Sequence, residues 1–187
     1  IIPNKIAAFG DSAGGHLSLM AGLVDPEDGL EGLCGDPAQP SKVQAVVNLY
    51  GPTDLRNWQV TPETEAVLER DLGLTFDGML EEFLGTTDRS SPVTLQVSPL
   101  TYIDPNDPPV LTFHGTADVL VPIEQAKLLH AALKKKGVQQ KLVVMENADH
   151  GWSGAQWDDT IQQTMAFLDS VFKEGQNTPT LSGQSHN

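Results

Sequence analysis

The chain has 187 residues, is 39% hydrophobic and 19% charged, and carries a formal net charge of −14. That size and apolar content fit one globular unit and exclude general disorder. The acidity works against phosphate backbones and anionic bilayers, so neither nucleic acid nor membrane is an expected partner.

Residues 5–9 form a short apolar run that reads as a strand. It leads directly into Gly10-Asp11-Ser12-Ala13-Gly14, which matches G-x-S-x-G between a strand and a helix. In that context small residues two before and two after the serine let strand and helix approach closely. The serine backbone is forced into an uncommon conformation that lifts its hydroxyl into the open. The helix N-terminus favours developing negative charge, and the Ala13 N–H points to where an oxyanion would form. Glycine-rich turns of this kind also bind phosphates, but a P-loop needs Gly-Lys-Ser/Thr and a dinucleotide site needs G-x-G-x-x-G. Neither pattern is present.

Leu17, Met20, Ala21 and Val24 share one face of the helix expected after the serine. The lone cysteine, Cys34, has no basic neighbour in sequence and no metal-type spacing, and reads as an incidental thiol. A second strand is expected over 43–50. Between Pro52 and Pro108 the pattern loosens, with short helices near 61–72 and 78–84. This insertion, about 52–98, either walls a substrate pocket on the ligand-binding side of the sheet or is a helical crossover with elaborate loops.

A third strand is expected over 109–114. It is followed by a helix with Ile123, Ala126, Leu129 and Leu133 on one face, Lys127 and Lys134 to Lys136 outside, and Gly137 as a stop. A fourth strand over 141–146 precedes a final helix striped by Ile161, Met165, Leu168 and Phe172. The nearly continuous apolar runs alternate with helical patterns, which implies an α/β fold with a mostly parallel sheet flanked by helices. Residues 1–174 form the expected catalytic unit, and the polar stretch 175–187 reads as a flexible tail. No stretch is long and apolar enough to span a bilayer and the first residues do not read as a signal peptide. A soluble chain, cytoplasmic or secreted, is the expectation.

A serine hydroxyl is a weak nucleophile without a base. Of the five histidines, His16 lies one turn into the first helix, His130 on a Lys-rich helix, His186 in the tail, and His114 at the end of a strand. Only His150, in Ala148-Asp149-His150-Gly151-Trp152, sits in a loop past the last strand. The carboxylate that orients it is best supplied by Asp118, a few residues past the third strand. Asp149 is too close to His150 in sequence to reach around its ring, and Asp54 is the other rival. The order Ser12, Asp118, His150 is that of α/β-hydrolases. Asp11 reads as a loop residue, and Trp152 either lines the pocket or packs under the loop.

The segments GDSAGGHLSLMAGL, VQAVVNLYGPTDL, SPLTYIDPNDPPVLTFHGTADVLVPIEQAKLLHAALKKKGV and ADHGW resemble bacterial carboxylesterases of the α/β-hydrolase fold. The likeness is to the group related to acetyl xylan and feruloyl esterases and to hormone-sensitive-lipase-like enzymes, and it covers most of residues 4–172. It implies Ser12, Asp118 and His150 as triad, Ala13 as oxyanion donor, hydrolysis of short-acyl esters with a small ester substrate, and no metal or organic cofactor. A peptidase on the same fold and a catalytically inert binding module are the alternatives. The family's His-Gly-Gly type oxyanion motif, which precedes the serine, has no counterpart here. The resemblance therefore implies the C-terminal portion of the fold, lacking its N-terminal strands. An open edge on the nucleophile strand, covered by a second chain or a homo-oligomer, is then expected.

Overall fold

The computed structural model describes residues 2–32, 35–36, 39 and 41–174; Cys34 and the segment 175–187 lie outside them. Four strands, β1 (Ala7–Asp11), β2 (Ala45–Leu49), β3 (Val110–Gly115) and β4 (Gln140–Met145), form one parallel sheet in the order β1-β2-β3-β4. Ala7 registers with Ala45, Val46 with Val110, and Val110 with Gln140. The first strand starts and ends two residues later than its apolar run suggests, with Gly10 and Asp11 continuing the ladder opposite Asn48 and Leu49.

Every residue of β2 and β3 is buried, the pattern of strands covered on both faces. Their side chains divide by period two. Val46 and Val110 join Leu19, Leu23, Leu129 and Leu133 from α1 (Ala13–Leu23) and α5 (Glu124–Lys136). Val47, Leu49, Leu111 and Phe113 face the opposite way, where Phe167 and Leu168 of α6 (Ala155–Glu174) pack. The polar members of the buried strands satisfy one another: Asn48 Nδ2 donates to Thr112 Oγ1 at 3.4 Å, and Asn48 Oδ1 accepts from the Gly51 amide at 3.0 Å.

Two helix faces differ from the sequence expectation. In α1 the buried face is Gly15, Ser18, Leu19, Gly22 and Leu23, whereas Leu17 is 63% exposed. Small residues, not the apolar stripe, decide the orientation. A Cβ at Gly15 would sit 2.3 Å from Asn48 Oδ1 and 2.9 Å from the Leu49 carbonyl oxygen, and one at Gly22 would sit 2.2 Å from Val46 Cγ2. In α6 the fully buried positions are Thr160 and Thr164, while Ile161 and Met165 are exposed. Thr160 turns inward because its hydroxyl accepts from Trp152 Nε1 and donates to the Gln156 carbonyl, both at 2.8 Å. The α5 face is as expected, and His130, expected among the lysines, is instead buried with Nδ1–H donating to Gln140 Oε1.

The contacts at Gly15 include backbone and a fully buried asparagine, so nothing there can yield. Gly15→Ala is expected to cost about 3 kcal/mol or more. Gly14→Ala, whose Cβ would meet only Asp11 Oδ1 at 3.8 Å, is expected to gain about 0.5–1 kcal/mol from helix propensity. Urea unfolding of the two variants checks this contrast; of the two glycines the motif names, Gly10 is as crowded as Gly15, its Cβ falling 2.3 Å from the Gly14 carbonyl oxygen, and Gly14 is not.

Between β2 and β3 the chain forms a layer of its own. It contains α2 (Pro62–Leu72), α3 (Phe76–Leu84) and the short α4 (Pro92–Gln96). Thr61 caps α2 by accepting from the Thr64 amide and Thr75 caps α3 by accepting from the Gly78 amide, and each helix ends on a left-handed glycine, Gly73 or Gly85. Leu55, Trp58, Leu68, Phe76, Leu80 and Val121 make a third core under these helices. The layer is pinned to the sheet by Gln125 of α5, whose Oε1 accepts from the Thr53 and Asp54 amides at 2.8 and 2.7 Å. Among the described residues no helix is long and apolar enough to cross a membrane.

Candidate active site

Ser12 stands between β1 and α1 with φ 50° and ψ −118°. This positive φ is strained for a residue with a side chain. It is held because the Ser12 amide donates to the Leu49 carbonyl at 2.9 Å while its own carbonyl accepts from the His16 amide at 3.1 Å. The strand ladder and the helix thus each fix one side of the residue, and the hydroxyl is left to point out of the turn. Ala13 is the first residue of α1, so its amide is among those with no partner inside the helix.

Two loops beyond β3 and β4 meet the serine. The Ala117 amide donates to the Ala148 carbonyl at 2.9 Å, and the Asn147 amide to Thr116 Oγ1 at 2.8 Å. This stitching carries Asp118 and His150 together. His150 Nε2 lies 2.8 Å from Ser12 Oγ and His150 Nδ1 lies 2.8 Å from Asp118 Oδ2. With a carboxylate as partner, Nδ1 carries the proton and Nε2 is left to accept from the serine. The three side chains form one hydrogen-bonded line.

The Asp118 carboxylate is buried and accepts three hydrogen bonds. Oδ1 takes the Leu120 and Val121 amides at 3.0 and 2.8 Å; Oδ2 takes His150 Nδ1–H and faces His114 Nε2 at 3.4 Å. Burial alone would raise this carboxyl, but the His114 and His150 imidazoles against it outweigh that and hold it below the ordinary carboxylate value. His114 is fully buried, and its Nε2–H donates to the Val121 carbonyl at 2.7 Å. It therefore braces the loop that carries Asp118.

The remaining candidates stand outside this hydrogen-bonded line. His16 is buried with its Nε2–H on the Val97 carbonyl at 2.6 Å, and burial lowers its pKa more than that bond raises it. Asp149 accepts from the His150 amide and does not touch the ring. Asp54 is buried against Arg56 and Asn57. Trp152 packs under the loop, edge-on to Tyr50 at 5.1 Å. No group of three or more His, Cys, Asp or Glu side chains among the described residues is gathered to hold a metal ion.

Tyr50 was not singled out from the sequence. It follows β2 with φ 43°, sets its ring edge-on to His150 at 4.7 Å, and donates its hydroxyl to Asp11 Oδ2 at 3.3 Å. Burial, followed by the charges of Asp11 and Asp118, pushes its pKa up to about 12, so it stays a neutral donor. Its position straight after a central strand, where ligands gather in open α/β sheets, is the signal that marks it. Beside this line of residues opens a cavity of about 550 Å³, walled by Leu55, Trp58, Leu68, Leu80 and Phe83 of the layer between β2 and β3.

A parallel sheet covered on both faces, with a strained serine at a strand-to-helix turn, defines the α/β-hydrolase class. The family model BD-FAE matches residues 1–133. Among curated proteins, esterase LipC of Mycobacterium tuberculosis is 31% identical over 176 residues, covering 91% of this chain and 41% of that protein. A propionate-bound esterase of Thermogutta terrifontis superposes with a TM-score of 0.68 at 30% identity, covering 91% of this chain and 57% of that one. A truncated carbohydrate esterase from gut microbiota gives 0.68 at 25% identity, with 91% and 61% covered. The chain belongs to the BD-FAE family, and its homologues include an esterase and a probable carboxylic ester hydrolase. It spans 41% of LipC and about three fifths of each of these solved structures.

Proposed function

We propose that the protein hydrolyses carboxylic esters of small acyl groups, free or carried on polysaccharide, through an acyl-serine intermediate. The observation that supports this best is the unbroken line from Ser12 Oγ through His150 to the buried Asp118 carboxylate at the mouth of a cavity. Ser12 attacks the carbonyl carbon as His150 Nε2 takes its proton, and Asp118 stabilises the imidazolium so formed. The developing oxyanion rests on the Ala13 N–H at the positive end of α1. His150 then returns the proton to the departing alcohol, and water releases the acid by the same route. Residues 1–174 act together as this catalytic unit.

β1 lies at one edge of the described sheet, with Phe9 46% exposed and Ile6 also exposed. We infer that a further strand, from a longer chain or a partner subunit, pairs with this edge, since such a row of free amides and carbonyls invites pairing.

A fluorophosphonate probe tests the serine chemistry. Mass spectrometry is expected to find one adduct, on Ser12, and prior heating of the protein is expected to abolish it. A folded sample that takes no label, or takes it elsewhere, overturns the reading in favour of an inert module.

A further inference from the structure

The hydrogen bonds of His150 hold its ring firmly in only one plane. An imidazole donates and accepts along its ring plane, so the contacts of Nε2 with Ser12 Oγ and of Nδ1 with Asp118 Oδ2, both 2.8 Å, resist sliding within that plane. Sideways sway is opposed only by bending those bonds. The side chain is 18% exposed, so packing does not enclose it. Tyr50 is set against it, edge-on at 4.7 Å between ring centroids and 64° between planes, a favoured arrangement for two aromatic rings.

Tyr50 is itself tightly held. It is buried, its amide donates to the Phe113 carbonyl at 2.8 Å, and Trp152 packs edge-on to it at 5.1 Å with its own Nε1–H tied to Thr160. The Tyr50 hydroxyl donates to Asp11 Oδ2 at 3.3 Å, on the residue before the nucleophile. The base loop crosses the phenol at Gly151, where a Cβ would fall 3.5 Å from the hydroxyl oxygen. One side chain thus touches the base with its ring and the nucleophile's neighbour with its hydroxyl. It does so at φ 43°, a conformation that a tyrosine rarely adopts and keeps only where its surroundings over-determine it.

Resting on the serine-esterase reading, we infer that Tyr50 is a positioning residue for the base. Its ring stops the His150 imidazole from swaying out of line as the proton moves between Ser12, Nε2 and the departing alcohol. Its bond to Asp11 ties that ring to the nucleophile turn. Tyr50 takes no proton and forms no bond to substrate. Acylation and deacylation both use His150, so loss of the ring slows the two steps together and leaves KM in place. A misplacement of about 1 Å costs about a hundredfold in rate.

Kinetics on p-nitrophenyl acetate, counted per Ser12 labelled by a fluorophosphonate, test this. Tyr50→Leu is expected to lower kcat about 100-fold with KM within about twofold, while the labelled fraction still reaches that of the wild type, more slowly. Tyr50→Phe, which keeps the ring and loses the tether, is expected to lower kcat only a few-fold. Tyr50→Met, flexible and without a ring, replaces the leucine variant should that one not fold. A merely structural role would lower the labelled fraction and leave turnover per labelled site unchanged; that result in the leucine or methionine variant overturns the inference. A second measurement needs no turnover. The His150 Nδ1 proton, observed by NMR, is expected to give a resolved resonance in the wild type and in Tyr50→Phe, and to broaden by exchange with water in Tyr50→Leu. A wild-type chain that neither labels nor turns over counts against the esterase reading alone. In that case broadening in the leucine variant still supports the hold of Tyr50 on the ring, and a resonance that stays sharp rejects it.

Discussion

Ser12→Ala is expected to lower kcat on p-nitrophenyl acetate by about 10⁶-fold while leaving the fold in place. The two halves of this expectation have separate grounds. The hydroxyl is the atom that would bond to the carbonyl carbon, and nothing else at the turn replaces it; in the proposed mechanism the Ala13 amide and the cavity would still hold ester, so a small residual catalysis over water would remain. The strained φ of 50° is the same for alanine as for serine, since both carry a Cβ. The only side-chain bond lost is the one to His150, worth about 1 kcal/mol. Thermal unfolding by circular dichroism should therefore move by a few degrees at most. His150→Ala is expected to be as severe, and the double variant no worse than either single one, because serine and imidazole act as a unit. Independent, multiplying losses would show that the two groups do not share one proton transfer.

What the sequence made legible follows from which signals are local. The capped α2 and α3 and the Lys-bearing α5 carry their instructions within a few residues: a threonine cap or a glycine stop. The order Ser12, Asp118, His150 could be read because each residue follows a strand, and parallel strands put their C-terminal ends on one side. The buried faces of α1 and α6 could not. There the choice depends on what lies across the interface: Asn48 and Val46 leave room only for Gly15 and Gly22, and Trp152 draws Thr160 inward with a hydrogen bond. Composition points to Leu17 and Met165, and both are exposed. Tyr50 and the cavity walls escaped for the same reason. Their roles exist only once the layer between β2 and β3 has folded over the serine.

Asp118→Asn is expected to lower kcat by about 10⁴-fold, and the geometry of the carboxylate says why no rotation of the amide rescues it. The three hydrogen-bond partners of Asp118 are all donors: two backbone amides on Oδ1, and His150 Nδ1–H on Oδ2. Asparagine has a single acceptor oxygen. If that oxygen takes the Leu120 and Val121 amides, the NH₂ group faces His150 Nδ1–H, and the imidazole must adopt the other tautomer, with Nε2 protonated and unable to accept from Ser12. If the oxygen takes His150 instead, the NH₂ group abuts the Leu120 and Val121 amides, and the loop loses about 1–3 kcal/mol for the buried Val121 donor left unpaired. Activity and stability are thus expected to fall in opposition across the two orientations, with no arrangement that spares both. The variant should also lose an acid-dependent part of the protein's stability. The folded carboxyl titrates below its ordinary value near 3.8, so its contribution is fully present above that value and fades as pH falls through the lower folded one. Urea midpoints measured from pH 6 down to pH 3 should drop more steeply for the wild-type chain than for Asp118→Asn. Equal slopes would mean that this carboxylate is not held in its charged form by the fold, and the electrostatic half of the proposed mechanism would have no source.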